Sequence, residues 1–236
     1  MFISVVVPAL NEEKYIGQCL SSLTAQTYPS DFYEIVVVDN ASKDRTSEIA
    51  RGFGARVVYE RRRGVSWARH RGVEEARGEI IAGTDADTMA PSIWLEEIAR
   101  VFGKDDELGA VTGPILVHDG TTLDRLGARC ISNSATRLSY LVRRGVVMGN
   151  NFAVRARDYW RVGGFDTSLS SAEDIDLGAR LSEVTRTTFN PNMVMYVSAR
   201  RTREGYLRLF LRTSADYVRV VLLRSPPAGE DFVAIR

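Results

Sequence analysis

Residues 35–46 read IVVVDNASKDRT, in which four β-branched residues precede a polar segment. An unbroken apolar run of this kind is typical of a strand that is buried on both faces, as strands are in parallel sheets. The run ends at Asp39, and Ser42 is suited to cap a helix that extends to about Gly52. The stretch therefore predicts a strand, a polar loop and a helix in succession.

The same order of elements is predicted on both sides of this stretch. Before it, a strand over residues 2–7 ends at Pro8, and Asn11 is suited to cap a helix whose apolar face is formed by Ile16, Cys19, Leu20 and Leu23. After it, strands and helices alternate: strands at 56–59, 79–82 and 110–117, and helices at 67–76 and 91–102. This alternation predicts a doubly wound, mostly parallel α/β sheet flanked by helices in a single domain. Ligands of such sheets bind beyond the carboxyl ends of the strands.

The remainder of the chain is less regular. Extended backbone is predicted at residues 146–154, and a turn is predicted at residues 163–166, which read GGFD. Either Ser170 or Ser171 is expected to cap a helix in the acidic stretch that follows. Helices are predicted at residues 121–144, 173–183 and 204–223.

The composition is that of an ordinary folded protein. Of 236 residues, 44% are hydrophobic and 26% are charged, which excludes disordered, collagen-like and coiled-coil chains. The net charge of +1 gives no overall field that would favour nucleic acid, so we expect no nucleic-acid partner. Cys19 and Cys130 lie in apolar contexts and predict reduced core thiols, which favours a cytoplasmic location. We expect no membrane span, because no apolar run approaches the roughly 18 residues required.

Several common catalytic motifs are missing from the sequence. It has no GxGxxG after the first strand and no GxxxxGK[ST], which argues against dinucleotide and P-loop sites. It also has no HExxH and no GxSxG, which argues against a zinc protease and an α/β-hydrolase. The chemistry must therefore be carried by other residues.

Asp85-Ala86-Asp87 is the most informative local motif. The two carboxylates follow the predicted strand at 79–82, and their hard oxygen atoms suit Mg²⁺ or Mn²⁺ bridging to substrate phosphates. A second acidic cluster is found in Glu173-Asp174-Ile175-Asp176. It is either a helix N-terminus with favourable acids or the source of a general base. The residue types alone leave those two interpretations open.

Seven short motifs taken together carry a resemblance. They are VVVPALNEE at 5–13, IVVVDNASKDRT at 35–46, GVSWARHRG at 64–72, DAD at 85–87, GNN at 149–151, GGFD at 163–166 and ED at 173–174. In this order they resemble the inverting family 2 glycosyltransferases, which have the GT-A fold, and their span covers essentially the whole chain. The resemblance implies a metal-dependent enzyme that moves one sugar from a nucleoside diphosphate sugar to an acceptor hydroxyl.

The resemblance also implies roles for individual residues. Asp87 would ligate Mg²⁺ or Mn²⁺, and Asp174 would be the general base. The nucleotide-binding residues would be Pro8, Ala9, Asn11, Glu12, Asp39, Arg69 and Asp85. Residues binding the donor sugar or the acceptor would be Asn150, Asn151, Glu173, Arg200 and Arg201. The two arginines stand where the family often has a histidine, and a solvated basic stripe is the other interpretation of them.

The resemblance further implies the binding partners and the part of the chain that binds each of them. Residues 1–120 would bind a UDP- or GDP-linked sugar, residues 121–225 would bind the acceptor, and residues 226–236 would form a tail. A lipid-linked acceptor is expected. The apolar and arginine-rich helix at 204–223 predicts a peripheral contact with the inner face of a membrane. The other interpretation is that it packs on the sheet or forms a homodimer interface.

Three other functions fit parts of the sequence. Asp85-Ala86-Asp87-Thr88 resembles the DxDxT motif of haloacid-dehalogenase-like phosphatases, although its threonine comes one residue early, and the only later lysine, Lys104, adjoins Asp105-Asp106 on one predicted turn. A sugar-nucleotide nucleotidyltransferase would have a glycine-rich basic loop after the first strand. A non-catalytic sugar-nucleotide-binding protein would have no need of both Asp87 and Asp174.

Overall fold

A seven-stranded sheet forms the centre of the molecule. The computed structural model describes residues 1–141, 145–202, 206–225 and 227. The strands of this sheet and of a smaller second sheet are β1 Ile3–Ala9, β2 Tyr33–Asp39, β3 Arg56–Tyr59, β4 Ile80–Gly83, β5 Thr88–Met89, β6 Leu108–Thr112, β7 Ile115–Val117, β8 Phe152–Arg155, β9 Arg186–Phe189 and β10 Met195–Val197.

The large sheet has the strand order β3–β2–β1–β4–β8–β6–β9. Strand β8 runs antiparallel to both of its neighbours, β4 and β6, whereas the other pairings are parallel. A small second sheet has the order β5–β10–β7. The predicted mostly parallel α/β sheet is thus confirmed. The predicted strand at 110–117 is in fact two strands, β6 and β7, which are separated by Gly113 and Pro114.

Helices cover both faces of the large sheet. They are α1 Ile16–Thr24, α2 Thr46–Gly52, α3 Val65–Glu75, α4 Trp94–Lys104, α5 Thr122–Leu126, α6 Asn133–Leu141, α7 Ala156–Arg161, α8 Glu173–Val184 and α9 Tyr206–Tyr217. Side chains alternate across a strand, so Val5 and Val7 of β1 face the core that includes α1 and α4. Val6 faces the other core, which includes residues of α3, α7 and α8.

The predicted helix caps are wrong. Helix α1 begins at Ile16 and α2 at Thr46, and neither start has a side-chain cap. Asn11 and Ser42 instead bind each other's loops: Asn11 Oδ1 accepts from the Lys43 backbone N–H at 2.8 Å, and Ser42 Oγ accepts from the Asn11 N–H at 3.0 Å. These side chains therefore join the loops after β1 and β2.

The same correction applies before α8. Neither predicted serine, Ser170 or Ser171, caps this helix. Its N-terminal flanking residue is Ala172, which has a left-handed backbone conformation with φ of 59° and makes no side-chain capping bond. A non-glycine residue in this conformation is uncommon and marks a sharp turn. The turn brings the chain directly into the acidic start of α8.

The C-terminal helical segment, which consists of α9 and the helical turn Val218–Leu222 after it, packs in part against α8. Tyr217, Val220 and Val221 contact a small cluster with Ala172 and Ile175. The exposed apolar side chains of the segment include Leu211 and Val218. Within the described ranges, no helix is both long and apolar enough to cross a membrane. The membrane or homodimer contact of this segment stays a prediction, and the predicted tail lies outside the described residues apart from Pro227.

Candidate functional site

Helix α3 presents an arginine to the sheet edge. Its close approach to β1 depends on Gly72, where a Cβ would lie 2.2 Å from Val6 Cγ1. Arg69 lies one turn earlier on the same face of α3. The side chain of Arg69 is therefore held against the sheet, and the residue is only 5% exposed.

Arg69 joins two of the predicted acidic motifs. Its Nη2 donates to Asp85 Oδ1 at 2.7 Å, and its Nη1 makes a short contact with Glu173 Oε1. A Cβ at Gly149 would lie 2.3 Å from Arg69 Nη1, so only glycine leaves room for the guanidinium there. The DAD, GNN and ED motifs, which are far apart in sequence, thus meet at one side chain.

Burial and charge shape the titration of this cluster. Burial raises the pKa of Glu173, the carboxylates of Asp174 and Asp85 add to the rise, and Arg69 opposes it. Burial alone would lower the pKa of Arg69, but the neighbouring carboxylates of Asp85, Glu173 and Asp174 outweigh it and raise that pKa. Arg69 therefore stays charged. Its Nε is buried with no hydrogen-bond partner.

A second buried arginine lies on the other predicted carboxylates. The two terminal nitrogens of Arg200 donate to the two oxygens of Glu12, both at 2.8 Å. Arg200 Nη2 also lies 3.0 Å from Asp87 Oδ2, and its guanidinium carbon is 4.8 Å from the centre of the Tyr15 ring. Asp119 supports this position by accepting from the backbone N–H of Ala199 at 2.6 Å. Arg200 Nε, like that of Arg69, is buried without a hydrogen-bond partner.

The charges around Arg200 act on one another. Burial raises the pKa of Glu12 although Arg200 opposes the rise, and the charges of Asp87 and Asp85 raise it further. Burial would lower the pKa of Arg200, but its partners Glu12 and Asp87 raise it. The site thus holds two arginines among acids that come from three separate segments of the chain, at Glu12, Asp85–Asp87 and Glu173–Asp174.

Asp174 lies at the N-terminus of α8, half-buried, with both carboxylate oxygens oriented by backbone. Its Oδ2 accepts from the Gly149 N–H at 2.8 Å, and its Oδ1 accepts from the Ile175 N–H at 2.9 Å. Each oxygen retains a second lone pair that can accept a proton. The same glycine lies against the guanidinium group of Arg69, so Gly149 links the position of Asp174 to that of Arg69.

Asp39, one of the predicted nucleotide-binding residues, is hydrogen-bonded to its own loop. Its Oδ1 accepts from the Ser42 N–H at 2.9 Å, and its Oδ2 accepts from Ser47 Oγ. The adjacent Asn40 did not enter the sequence prediction as a site residue. Its amide donates to the carbonyls of Glu60 and Arg62 at 3.0 and 2.7 Å. It thereby fixes the segment between β3 and α3, and its position directly after a strand-end aspartate was the signal that could have identified it.

The two asparagines of the GNN motif differ in environment. Asn151 is fully buried: its Oδ1 accepts from Trp94 Nε1 at 3.0 Å, and its amide donates to the carbonyls of Pro114 and Met193. These bonds give Asn151 a structural role in the core, in place of the predicted ligand contact. Asn150 Oδ1, in contrast, is buried with no hydrogen-bond partner, which leaves it available to a ligand.

The remaining predicted residues lie at the edge of the site. Pro8 and Ala9 end β1 opposite β2, beyond the last residue of β1 that pairs with β4, which is Val6. The carbonyl of Ala9 accepts from the Asn40 N–H at 2.8 Å. Asn11 is exposed and serves the loop contact described above. The side chain of Arg201 lies outside the described part of the structure.

The residues present fit a divalent cation that is held mainly by a substrate. In the described ranges, no three His, Cys, Asp or Glu side chains form a group that could hold a metal by themselves. Asp85 is paired with Arg69, and Asp87 faces Arg200. Mg²⁺ and Mn²⁺ are commonly bound through one or two carboxylates and phosphate oxygens, and this donor set suits that mode with Asp87 as the protein ligand.

Comparison with known proteins identifies relatives of the chain. The model of the family described as "Glycosyl transferase family 2" matches residues 4–163. The glycosyltransferase AglE of Haloferax volcanii is 32% identical over 190 residues, which are 77% of this chain and 62% of AglE. The chain therefore spans less than two thirds of that relative.

Two solved structures share the fold. The mannosyltransferase PcManGT of Pyrobaculum calidifontis, in complex with GDP-Man and Mn²⁺, is 25% identical with a TM-score of 0.71, covering 97% of this chain and 65% of PcManGT. S. aureus TarS 1–349, in complex with UDP-GlcNAc, is 20% identical with a TM-score of 0.72, covering 94% of this chain and 67% of that one. The second likeness bears on the fold alone.

Proposed function

The chain belongs to glycosyl transferase family 2, and from this we propose that it transfers one sugar from a nucleoside diphosphate sugar to an acceptor hydroxyl, with inversion at the anomeric carbon. The observation that carries the proposal is the link from Asp174 through Gly149 to Arg69 and Asp85. It joins a carboxylate suited to a base with a buried cation suited to a diphosphate.

The diphosphate would bind between the two buried arginines. Both Arg69 and Arg200 have an Nε that is buried and unpartnered, which is a costly state that an incoming acceptor atom would relieve. Arginine is the side chain best suited to phosphate oxygens. The two guanidinium groups would also stabilise the negative charge that grows on the diphosphate as the sugar leaves.

A metal ion would share that task. Asp87 would be its protein ligand, with diphosphate oxygens and water completing the coordination. When bound, Mg²⁺ or Mn²⁺ would neutralise charge on the leaving group. The complex of PcManGT with GDP-Man and Mn²⁺ supports GDP and Mn²⁺ as the first pair to test here, and UDP follows from the sequence motifs.

Asp174 would act as the general base. The N–H groups of Gly149 and Ile175 hold its carboxylate in one orientation, which leaves the second lone pairs for the acceptor hydroxyl. Removal of the proton while the hydroxyl attacks in line gives inversion. A positioned base of this kind contributes roughly 10²–10⁴-fold to the rate.

The nucleoside would lie at the ends of β1 and β2. Asp39 keeps lone pairs beyond the bonds to its own loop, and could accept from a uracil or guanine N–H. Asn40 holds the segment that borders this edge. A lipid-linked acceptor and a location at a membrane stay predictions from the sequence.

The test compares Asp174→Asn with Asp176→Asn. Asp176 is on the same helix, is also half-buried and pairs with Arg180, so its variant controls for charge and helix effects. Binding of GDP and UDP with Mn²⁺ is measured by calorimetry, and release of nucleoside diphosphate is measured with a sugar donor. We expect Asp174→Asn to lose at least about 10²-fold in turnover with nearly unchanged nucleotide affinity.

Three outcomes would contradict the proposal. Equal losses in turnover for the two variants would assign Asp174 a structural role. Release of inorganic diphosphate from a nucleoside triphosphate and a sugar 1-phosphate, with no release of nucleoside diphosphate from a sugar donor, would favour the nucleotidyltransferase. A protein that binds nucleotides but releases no product with any donor would instead be a non-catalytic binder.

A further inference from the structure

Arg200 lies against Asp87, the carboxylate that the metal ion would need as its protein ligand. Its Nη2 lies 3.0 Å from Asp87 Oδ2, and the side chains of both residues are about nine-tenths buried, at 12% and 8% exposure. A guanidinium and a divalent cation cannot both lie against this oxygen in a buried site without strong repulsion. In the state seen here, the positive charge at Asp87 is therefore supplied by the protein.

Glu12 keeps Arg200 at this position by two parallel hydrogen bonds of 2.8 Å. Such a bidentate pair fixes the guanidinium plane as well as its charge. The Nε of Arg200 remains buried and without a hydrogen-bond partner. The arginine is thus firmly held, yet it retains one donor that only an incoming group can satisfy.

We propose that Arg200 is a built-in competitor of the metal ion, which holds Asp87 until the diphosphate of the donor draws the guanidinium away. The proposal rests on the proposed function for the identity of the donor. It goes further in coupling two affinities: the metal ion binds weakly by itself, and the metal ion and the donor strengthen each other's binding. Since binding couplings are reciprocal, the metal must strengthen donor binding by the factor by which the donor strengthens metal binding.

The first experiment measures Mn²⁺ binding without nucleotide, from the electron paramagnetic resonance signal of free Mn²⁺. Arg200→Gln should bind Mn²⁺ more tightly than the wild type, within the range of about 5- to 150-fold that is usual for such couplings. Arg45→Gln is the matched control, because it removes the same charge from an exposed arginine that pairs with Glu13, the neighbour of Glu12. It should leave Mn²⁺ affinity unchanged.

Further variants test whether a change in Mn²⁺ affinity comes from misfolding or from Mn²⁺ binding at another site. Arg200→Gln leaves Glu12 buried without its cation, so the double variant Glu12→Gln/Arg200→Gln removes both charges together. It should show the same gain in Mn²⁺ affinity. Adding Asp87→Asn to either background should abolish the gain, because Asp87 is the carboxylate that Arg200 releases.

The results separate this inference from the proposed function. Mn²⁺ affinities that are equal in the wild type, Arg200→Gln and the double variant would overturn the inference, even if the wild type transfers sugar. A gain that persists after Asp87→Asn would also overturn it. Conversely, the expected Mn²⁺ gain together with full turnover by Asp174→Asn would support the inference while contradicting the proposed base.

Discussion

Replacing Gly149 by alanine tests the contact that links the base to the arginine cluster. The new Cβ would lie 2.3 Å from Arg69 Nη1 and 2.5 Å from both Cζ and Nη2, which is closer than side-chain atoms can approach. Arg69 cannot move away freely, because Asp85 and Glu173 hold its two terminal nitrogens. The backbone at Gly149 must shift, or the buried ion pairs must break.

The two responses differ in size. Overpacking with a backbone shift costs about 1–3 kcal/mol, whereas separating one partner of a buried pair costs about 3–5 kcal/mol. For a chain of this length, each kcal/mol lowers the melting temperature by about 2–4 °C. We therefore expect Gly149→Ala to lower the unfolding free energy by at least ~1 kcal/mol and to weaken nucleotide binding, because Arg69 and Asp174 both move.

Urea unfolding and calorimetric titration with GDP and Mn²⁺ measure the two effects. Gly103→Ala is the control, since a Cβ there meets no atom within 4 Å and the residue lies within α4. That variant should be unchanged or slightly more stable, because alanine favours a helix over glycine by roughly 0.5–1 kcal/mol. If Gly149→Ala matched the wild type within about 0.5 kcal/mol and bound nucleotide equally well, the role assigned to this glycine would be refuted.

Three further outcomes are expected. Asp87→Asn should remove the gain in nucleotide affinity that Mn²⁺ provides, and a titration showing an undiminished gain would exclude Asp87 as the ligand. Asn151→Leu should lower the unfolding free energy by at least ~2 kcal/mol, because it removes the side-chain partner of the Trp94 N–H and of the Met193 carbonyl and one of the two bonds to the Pro114 carbonyl, which keeps the Met195 N–H; an unchanged urea midpoint would argue against its structural role. Burial raises the pKa of Glu173 above 4.5, so its contribution to stability is present below pH 4.5 and is lost as the pH rises through the raised value. Glu173→Gln should lack that loss, and equal pH dependence in both proteins, measured by urea unfolding at several pH values, would contradict the assignment.

The central elements of the fold could be predicted because each has a clear pattern in its own stretch of sequence. Strands β1 and β2 contain the apolar runs Val5–Val7 and Ile35–Val38, and the four apolar residues predicted to form the inner face of α1, Ile16, Cys19, Leu20 and Leu23, are all buried. Strands β5, β9 and β10 were not predicted. They have two to four residues each, and β9 reads RTTF, so none of them has a long apolar run that would identify it. Their pairing depends on distant partners.

The motifs of the site could also be found in the sequence, but their pairing could not. The chain has 28 arginines, and local patterns give no means of knowing that Arg69 meets Glu173 or that Arg200 meets Glu12. Asn150 and Asn151 could not be told apart for a related reason. They lie in a turn before β8, which the bond from the Asn151 N–H to the Met148 carbonyl closes at 2.8 Å, and the direction of each side chain depends on that turn rather than on a sequence period.

The antiparallel strand β8 has a consequence for how the protein is made. It lies between β4 and β6, although its residues follow those of β4 by about 70 positions in the chain. During synthesis, one edge of β4 stays unpaired until Phe152–Arg155 have left the ribosome. An unpaired strand edge of this kind can pair with other chains. Gly149 and Asn150 directly precede that strand. The late step that pairs the open edge of β4 is therefore also the step that brings Gly149 and Asn150 to the site, to which the later residues Glu173, Asp174 and Arg200 are then added.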